Sequence, residues 1–107
     1  MTDAIQVVTT AGSQDEAQRI AEALVGDRLA ACVQVSGPIR STFHWKGQTE
    51  TEEEWHCVAK TRAGLFESVE QAIRQAHSYD VPEILAVPIV AAGNDYLAWL
   101  KAETRQG

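Results

Sequence analysis

Cysteine, long apolar runs and positive charge are all scarce in this 107-residue chain, and each scarcity excludes something. Two cysteines, Cys32 and Cys57, are too few for a disulfide-held scaffold and read as reduced thiols. No apolar run nears the ~20 residues of a membrane span, and the opening MTDAIQVVTT has no basic stretch leading into an apolar one. No membrane partner is therefore expected, and the expected location is cytoplasmic. Nine Lys and Arg stand against fifteen Asp and Glu, a net charge of -6, without any basic run or basic-aromatic stripe. Such a field repels phosphate backbones, so no nucleic acid is expected and cations suit it better. Phosphate-binding glycine loops, paired-carboxylate motifs and activated nucleophiles are missing too, and an enzyme is not expected.

What is present is an ordinary globular composition, 45% hydrophobic and 22% charged, at a length that suits one domain over residues 1–107. AIQVVTT (4–10) is short and β-branched and predicts a strand. In SQDEAQRIAEALVGDRL, Ser13 and Glu16 have capping-box spacing, and Ala17, Ile20, Ala21, Leu24 and Val25 share a helical face that Gly26 is placed to end. LAACVQVSGPIRSTFHW (29–45) has strand composition with a bend or bulge expected at Ser36-Gly37-Pro38. KGQT (46–49) reads as a turn, with Gly47-Gln48 as its central pair, and ETEEEWHCVAKTR returns as the second arm of a long hairpin. Along that arm Trp55, Cys57 and Ala59 alternate with Glu54, His56, Val58 and Lys60.

GLFESVEQAIRQAH (64–77) repeats Leu65, Phe66, Val69, Ala72, Ile73 and Ala76 at helical spacing. EILAVPIV reads as a strand apolar on both faces, with Pro88 arguing for an edge position. Gly93-Asn94-Asp95 opens a last helix carrying Tyr96, Leu97, Trp99 and Leu100. The order β-α-β-β-α-β with a terminal helix predicts an α+β, ferredoxin-like sandwich with one face of its sheet bare. Consecutive apolar residues in ILAVPIV and ACVQV require cover on both faces, which predicts self-association.

Chemistry concentrates in HSYDVPEI (77–84). His77, expected in the last turn of its helix, is a candidate ligand for copper or zinc with Cys32 or Cys57 as a thiolate partner. The helix dipole there favours the protonated imidazole, which opposes metal binding. Tyr79, Asp80 and Glu83 offer acid-base groups, while Pro82 forces Val81 out of the helical region and launches the strand. TETEEE (49–54) reads as a solvated arm that keeps the hairpin soluble, or as a collector of hard cations. With the turn centred on Gly47-Gln48, the two cysteines miss each other by six residues, roughly 20 Å. A bridge needs Cα atoms within about 7 Å, so no intramolecular disulfide is expected. Phe43 and Trp45 share a face, either filling a neighbour's groove or forming a local aromatic core.

Five segments in register, DRLAACVQV (27–35), FHWKG (43–47), AKTR (59–62), HSYDVPEILAVPI (77–89) and DYLAWL (95–100), strongly resemble the CutA family of divalent-cation tolerance proteins. The resemblance runs nearly end to end. It implies a ferredoxin-like homotrimer whose long hairpins pair across subunits, with clefts between them, and a tie to divalent metals, copper among them. On this chain it implies His77 and Cys32 as metal ligands. It also implies Lys60, Tyr79, Pro82 and Glu83, with Trp45 from the hairpin, as residues of an intersubunit cleft. Thr9 and Ala76 stand where metal-binding members have a cysteine and a second histidine; Phe43 replaces a tyrosine and Ser78 a proline. Two functions compete on this reading. One is a non-enzymatic, trimeric metal-tolerance protein; the other is a trimeric signalling or interaction module holding an anionic small molecule or a protein partner in the cleft.

Overall fold

The structure, a computed structural model, describes residues 2–106. Eight elements follow the expected order: β1 (Ala4–Ala11), α1 (Gln14–Gly26), β2 (Cys32–Trp45), β3 (Gln48–Arg62), a 3-10 turn (Ala63–Leu65), α2 (Phe66–Ala76), β4 (Leu85–Pro88) and α3 (Asn94–Glu103). The four strands form one antiparallel sheet in the order β2-β3-β1-β4. This is the ferredoxin-like arrangement of the α+β class.

Alternation decides where the core lies. Val7, Thr9, Cys57, Ala59 and Thr61 are buried on one side of the central strands, where Ile20 and Leu24 of α1 and Val69 and Ile73 of α2 pack. Truncating such a fully buried Ile to Ala costs about 2–5 kcal/mol. By register, Gln6 and Val8 of β1, Val58 and Lys60 of β3, and Leu85 and Val87 of β4 share the opposite side. That side is free of α1 and α2.

The hairpin differs from the sequence expectation in register. Its turn is Lys46-Gly47, both at positive φ (51° and 78°), because a two-residue turn matching strand twist needs the left-handed region at both positions. Trp45 therefore faces Gln48, and not the partner that a Gly47-Gln48 turn would give it. The bulge does fall at Ser36-Gly37-Pro38, shifting the pairing between Ser36↔His56 and Ile39↔Glu54. Together they bring Val35, not Cys32, opposite Cys57. Cys32 and Cys57 end three residues apart on opposite faces, closer than expected, and both are free thiols.

One expected strand is shorter. β4 spans four residues, all exposed, at the sheet edge where Pro88 was read to place it. The expectation of burial on both faces fails within a single chain because neither helix reaches this edge. Val25, expected on the buried face of α1, is also exposed. At the other end of the fold, α3 is fastened by Arg28, which bonds the Ala102 carbonyl (2.9 Å) and pairs with Glu103 (3.5 Å). Arg62 donates to Thr104 Oγ1 (3.0 Å) and to the Arg105 carbonyl.

Candidate functional site

HSYDVPEI is a clasp. α2 stops at Ala76, and His77 is already extended (φ -93°, ψ 141°), so it lies past the helix and not in its last turn. Its Nε2–H donates to the Thr10 carbonyl at the end of β1 (2.6 Å), and its Nδ1 accepts the Tyr79 backbone N–H (3.1 Å). The tautomer follows from these partners: Nδ1 is an acceptor and Nε2 carries the proton. A metal at His77 has to displace one of these bonds.

Ser78 and Glu16 form the second fastening. Ser13 caps α1 by accepting the Glu16 N–H (3.1 Å), but the Glu16 carboxylate does not close the box back onto it. Instead Glu16 Oε2 accepts the Ser78 N–H (3.1 Å) and Oε1 the Ser78 hydroxyl (3.2 Å). The carboxylate is buried, and both bonds and the positive end of α1 offset its desolvation. A proline at 78 would lack that N–H.

Tyr79 makes the third. Its ring packs over Gly12, where an added Cβ would sit 3.1 Å from the hydroxyl, and lies 4.6 Å from the His77 ring. The hydroxyl donates to Glu54 Oε2 (2.9 Å). Burial, then this bond and the surrounding carboxylates, push the Tyr79 phenol up to about 12. Glu54 itself is 7% exposed, so the acidic arm is solvated at Glu52 and Glu53 but not at its inner end.

Between this clasp and the hairpin lies a cleft of about 820 Å³. Trp45, Tyr79 and Glu83 line it as the sequence implied, together with Phe43 and the carboxylates of Glu50, Glu52, Glu54 and Asp80. Pro82 is buried and is not part of the lining. Lys60 lies elsewhere, facing Cys32 and donating to Gln34 Oε1; six residues of β3 separate it from Glu54, roughly 20 Å. Five carboxylates and, among the described residues, no Lys or Arg line the cleft, so within one chain its charge opposes the anion that Lys60 was expected to bring there.

The two expected metal ligands are not brought together in one chain. His77 sits beside Thr10, whose strand partner is His56, whereas Cys32 faces Lys60 four residues further along β3, roughly 13 Å. Among the described residues no three His, Cys, Asp or Glu groups are grouped to hold a metal ion. Cys57 is buried and its thiol is pushed up to about 11, by burial and then by the Glu16 charge; it donates to the Ala17 carbonyl (3.6 Å). Thr9, at the position where a ligand cysteine was expected, is buried with its Oγ1 unpaired. Sequence reasoning missed Glu16 and Glu54 as partners of the clasp, since nothing local marks contacts 62 and 25 residues away.

Comparison with known proteins agrees with this geometry over nearly the whole chain. A rice relative, the chloroplastic protein CutA 1, is 35% identical over 102 residues, which are 95% of this chain and 58% of the relative. This chain thus spans little more than half of that longer protein. The divalent-cation tolerance protein CutA of Thermus thermophilus is 37% identical over 98 residues, 92% of this chain and 95% of the relative. The crystal structure of CutA1 from Oryza sativa superposes with a TM-score of 0.96 at 34% identity, covering 99% of this chain and 97% of that one. The family model for the CutA1 divalent ion tolerance protein matches residues 5–103, and the chain belongs to that family.

Proposed function

We propose that this chain acts in the cytoplasm as a homotrimeric, non-enzymatic divalent-cation tolerance protein that binds a divalent metal, with copper the ion to test. The tolerance role is supported by the family match and by the name of the Thermus relative. Among the described residues no helix is long and apolar enough to cross a membrane.

The observation that carries assembly is the outward apolar surface of β4 and α3. Leu85 is 54% exposed, Val87 44% and Trp99 43%, with Val90 and Tyr96 also outside. An edge strand of that composition needs cover, and sister chains supply it at no cost in new sequence. His77 and Cys32 are the ligands of this reading. Their separation within one chain makes joint coordination a matter for two neighbouring chains, which ties metal binding to assembly.

Chelator-competed Cu(II) titration of the native protein, with His77→Ala and Cys32→Ser beside it, tests the metal. The reading expects each variant to bind at least tenfold more weakly; curves that coincide with wild type contradict it. Val87→Lys tests the assembly and is expected to release folded single chains.

A further inference from the structure

One atom of His77 has two claimants. Its Nε2–H donates to the Thr10 carbonyl (2.6 Å), and a histidine that ligates a metal generally gives its other ring N–H to such a carbonyl, which fixes the tautomer. Nδ1 is therefore the atom whose lone pair can serve a metal. That lone pair is already in use, because the Tyr79 backbone N–H donates to it at 3.1 Å. It holds a proton donor or a metal, not both. Loading Nε2 instead would send the proton to Nδ1, set one N–H against another and leave the Thr10 carbonyl without its donor. Either route displaces Tyr79 from His77.

What resists that displacement lies away from the imidazole. His77 to Ile84 fill the gap between α2 and β4, and among the described residues none of the backbone–backbone hydrogen bonds outside helices and strands falls on them. Side chains hold the segment instead. Ser78 is fixed to both Glu16 oxygens, through its N–H (3.1 Å) and its hydroxyl (3.2 Å). Tyr79 is fixed by its hydroxyl on Glu54 (2.9 Å), with its ring over Gly12. Residues 77–79 are thus a strap across the end of β1, the first turn of α1 and the hairpin. A hydrogen bond is worth about two- to tenfold in an equilibrium constant, so each fastening removed opens the strap by roughly that factor.

We propose that this strap gates the metal: closed, it keeps the Tyr79 N–H on Nδ1 of His77, and Glu16 and Glu54 set how often it opens. The proposal rests on the reading of His77 as a metal ligand, and it gives a regulatory role to residues that touch no metal. Apparent affinity is the intrinsic affinity reduced by the open fraction, so loosening the strap tightens copper binding. A fastening that merely supported the site would do the reverse when removed.

Chelator-competed Cu(II) titration of the native assembly, comparing Tyr79→Phe and Ser78→Ala with wild type, tests it. Each variant is expected to bind copper about threefold more tightly or better, a gain that His77→Ala abolishes in the same background. Ile20→Val, which loosens the buried core under α1 and not the strap, should leave the affinity unchanged. By reciprocity, saturating Cu(II) should speed amide hydrogen exchange in residues 77–80 by about tenfold or more, read by mass spectrometry. Equal or weaker copper affinity in both Tyr79→Phe and Ser78→Ala, or exchange that copper leaves unchanged, overturns the gate alone when His77→Ala still loses binding. A His77→Ala protein that binds copper as wild type does overturns the ligand reading and the gate with it.

Discussion

The Tyr79 hydroxyl donates to the Glu54 carboxylate at 2.9 Å, tying the segment that leaves α2 to a hairpin strand 25 residues earlier. Tyr79→Phe removes the one hydrogen bond that Glu54, a largely buried residue, accepts on its carboxylate among the described residues. Urea unfolding should show a loss of about 1–3 kcal/mol, the cost of leaving a buried acceptor unpaired. Adding Glu54→Leu to that variant should recover part of the loss, because the buried charge goes with its partner. A single variant as stable as wild type would show that the bond contributes nothing.

The same bond predicts an alkaline limit. The phenol of Tyr79 is raised to about 12 from an ordinary value near 10, chiefly by burial and then by Glu54, so the fold favours the neutral ring. Its contribution to stability is complete below pH about 10 and is lost as the pH rises toward 12. Tyr96 is raised as well, by burial and then by Cys32, so phenolate absorbance should rise late in the wild type, and Tyr79→Phe should remove the last component of that rise.

Thr9 offers a stabilising substitution. Its Oγ1 is buried on the core side of β1 without a hydrogen-bond partner, and Val has nearly the same shape without the hydroxyl. Thr9→Val should raise the unfolding free energy by about 1 kcal/mol or more. A drop in the urea midpoint would mean that the hydroxyl is satisfied in solution.

Gly37 makes the opposite prediction. A Cβ there would sit 2.6 Å from Cδ1 of Trp55 and 3.1 Å from the Glu54 carbonyl, with backbone on one side unable to move aside. Gly37→Ala should cost about 1–3 kcal/mol by overpacking, read as a lower melting temperature. Gly26→Ala, whose Cβ meets nothing within 4 Å, is the control.

Much of this was legible in the sequence, and the boundary has a physical reason. Helix and strand periods placed all the main elements, and Ser36-Gly37-Pro38 marked the bulge, because those signals are local. Lys46 carries no mark of the left-handed turn it enters, so the hairpin pairs two residues away from the expected register at the turn, and the bulge shifts it by one more. The site divided along the same line. Trp45, Tyr79 and Glu83 share the cleft, but Lys60 lies far along β3, and Glu54 in an acidic run looked solvated until Tyr79 covered it. Burial by a distant residue leaves no trace in spacing. The apolar run in β4 was read as a doubly buried strand; a single chain exposes it, and that mismatch is itself the reason for proposing sister chains.

Thiol chemistry separates the two cysteines. Cys57 is buried and raised to about 11, while Cys32 is half-buried beside Tyr96. A thiol reagent at pH 8 should label one cysteine per native chain, lost in Cys32→Ser, and two in denaturant. Fast labelling of both in the native protein would contradict the burial of Cys57.

Sedimentation equilibrium of the native protein at micromolar concentration tests the central claim most directly, that Leu85, Val87 and Trp99 are covered by copies of the same chain. The account predicts a single species of three times the chain mass, with Val87→Lys reducing it to one. A well-folded wild-type monomer would contradict it.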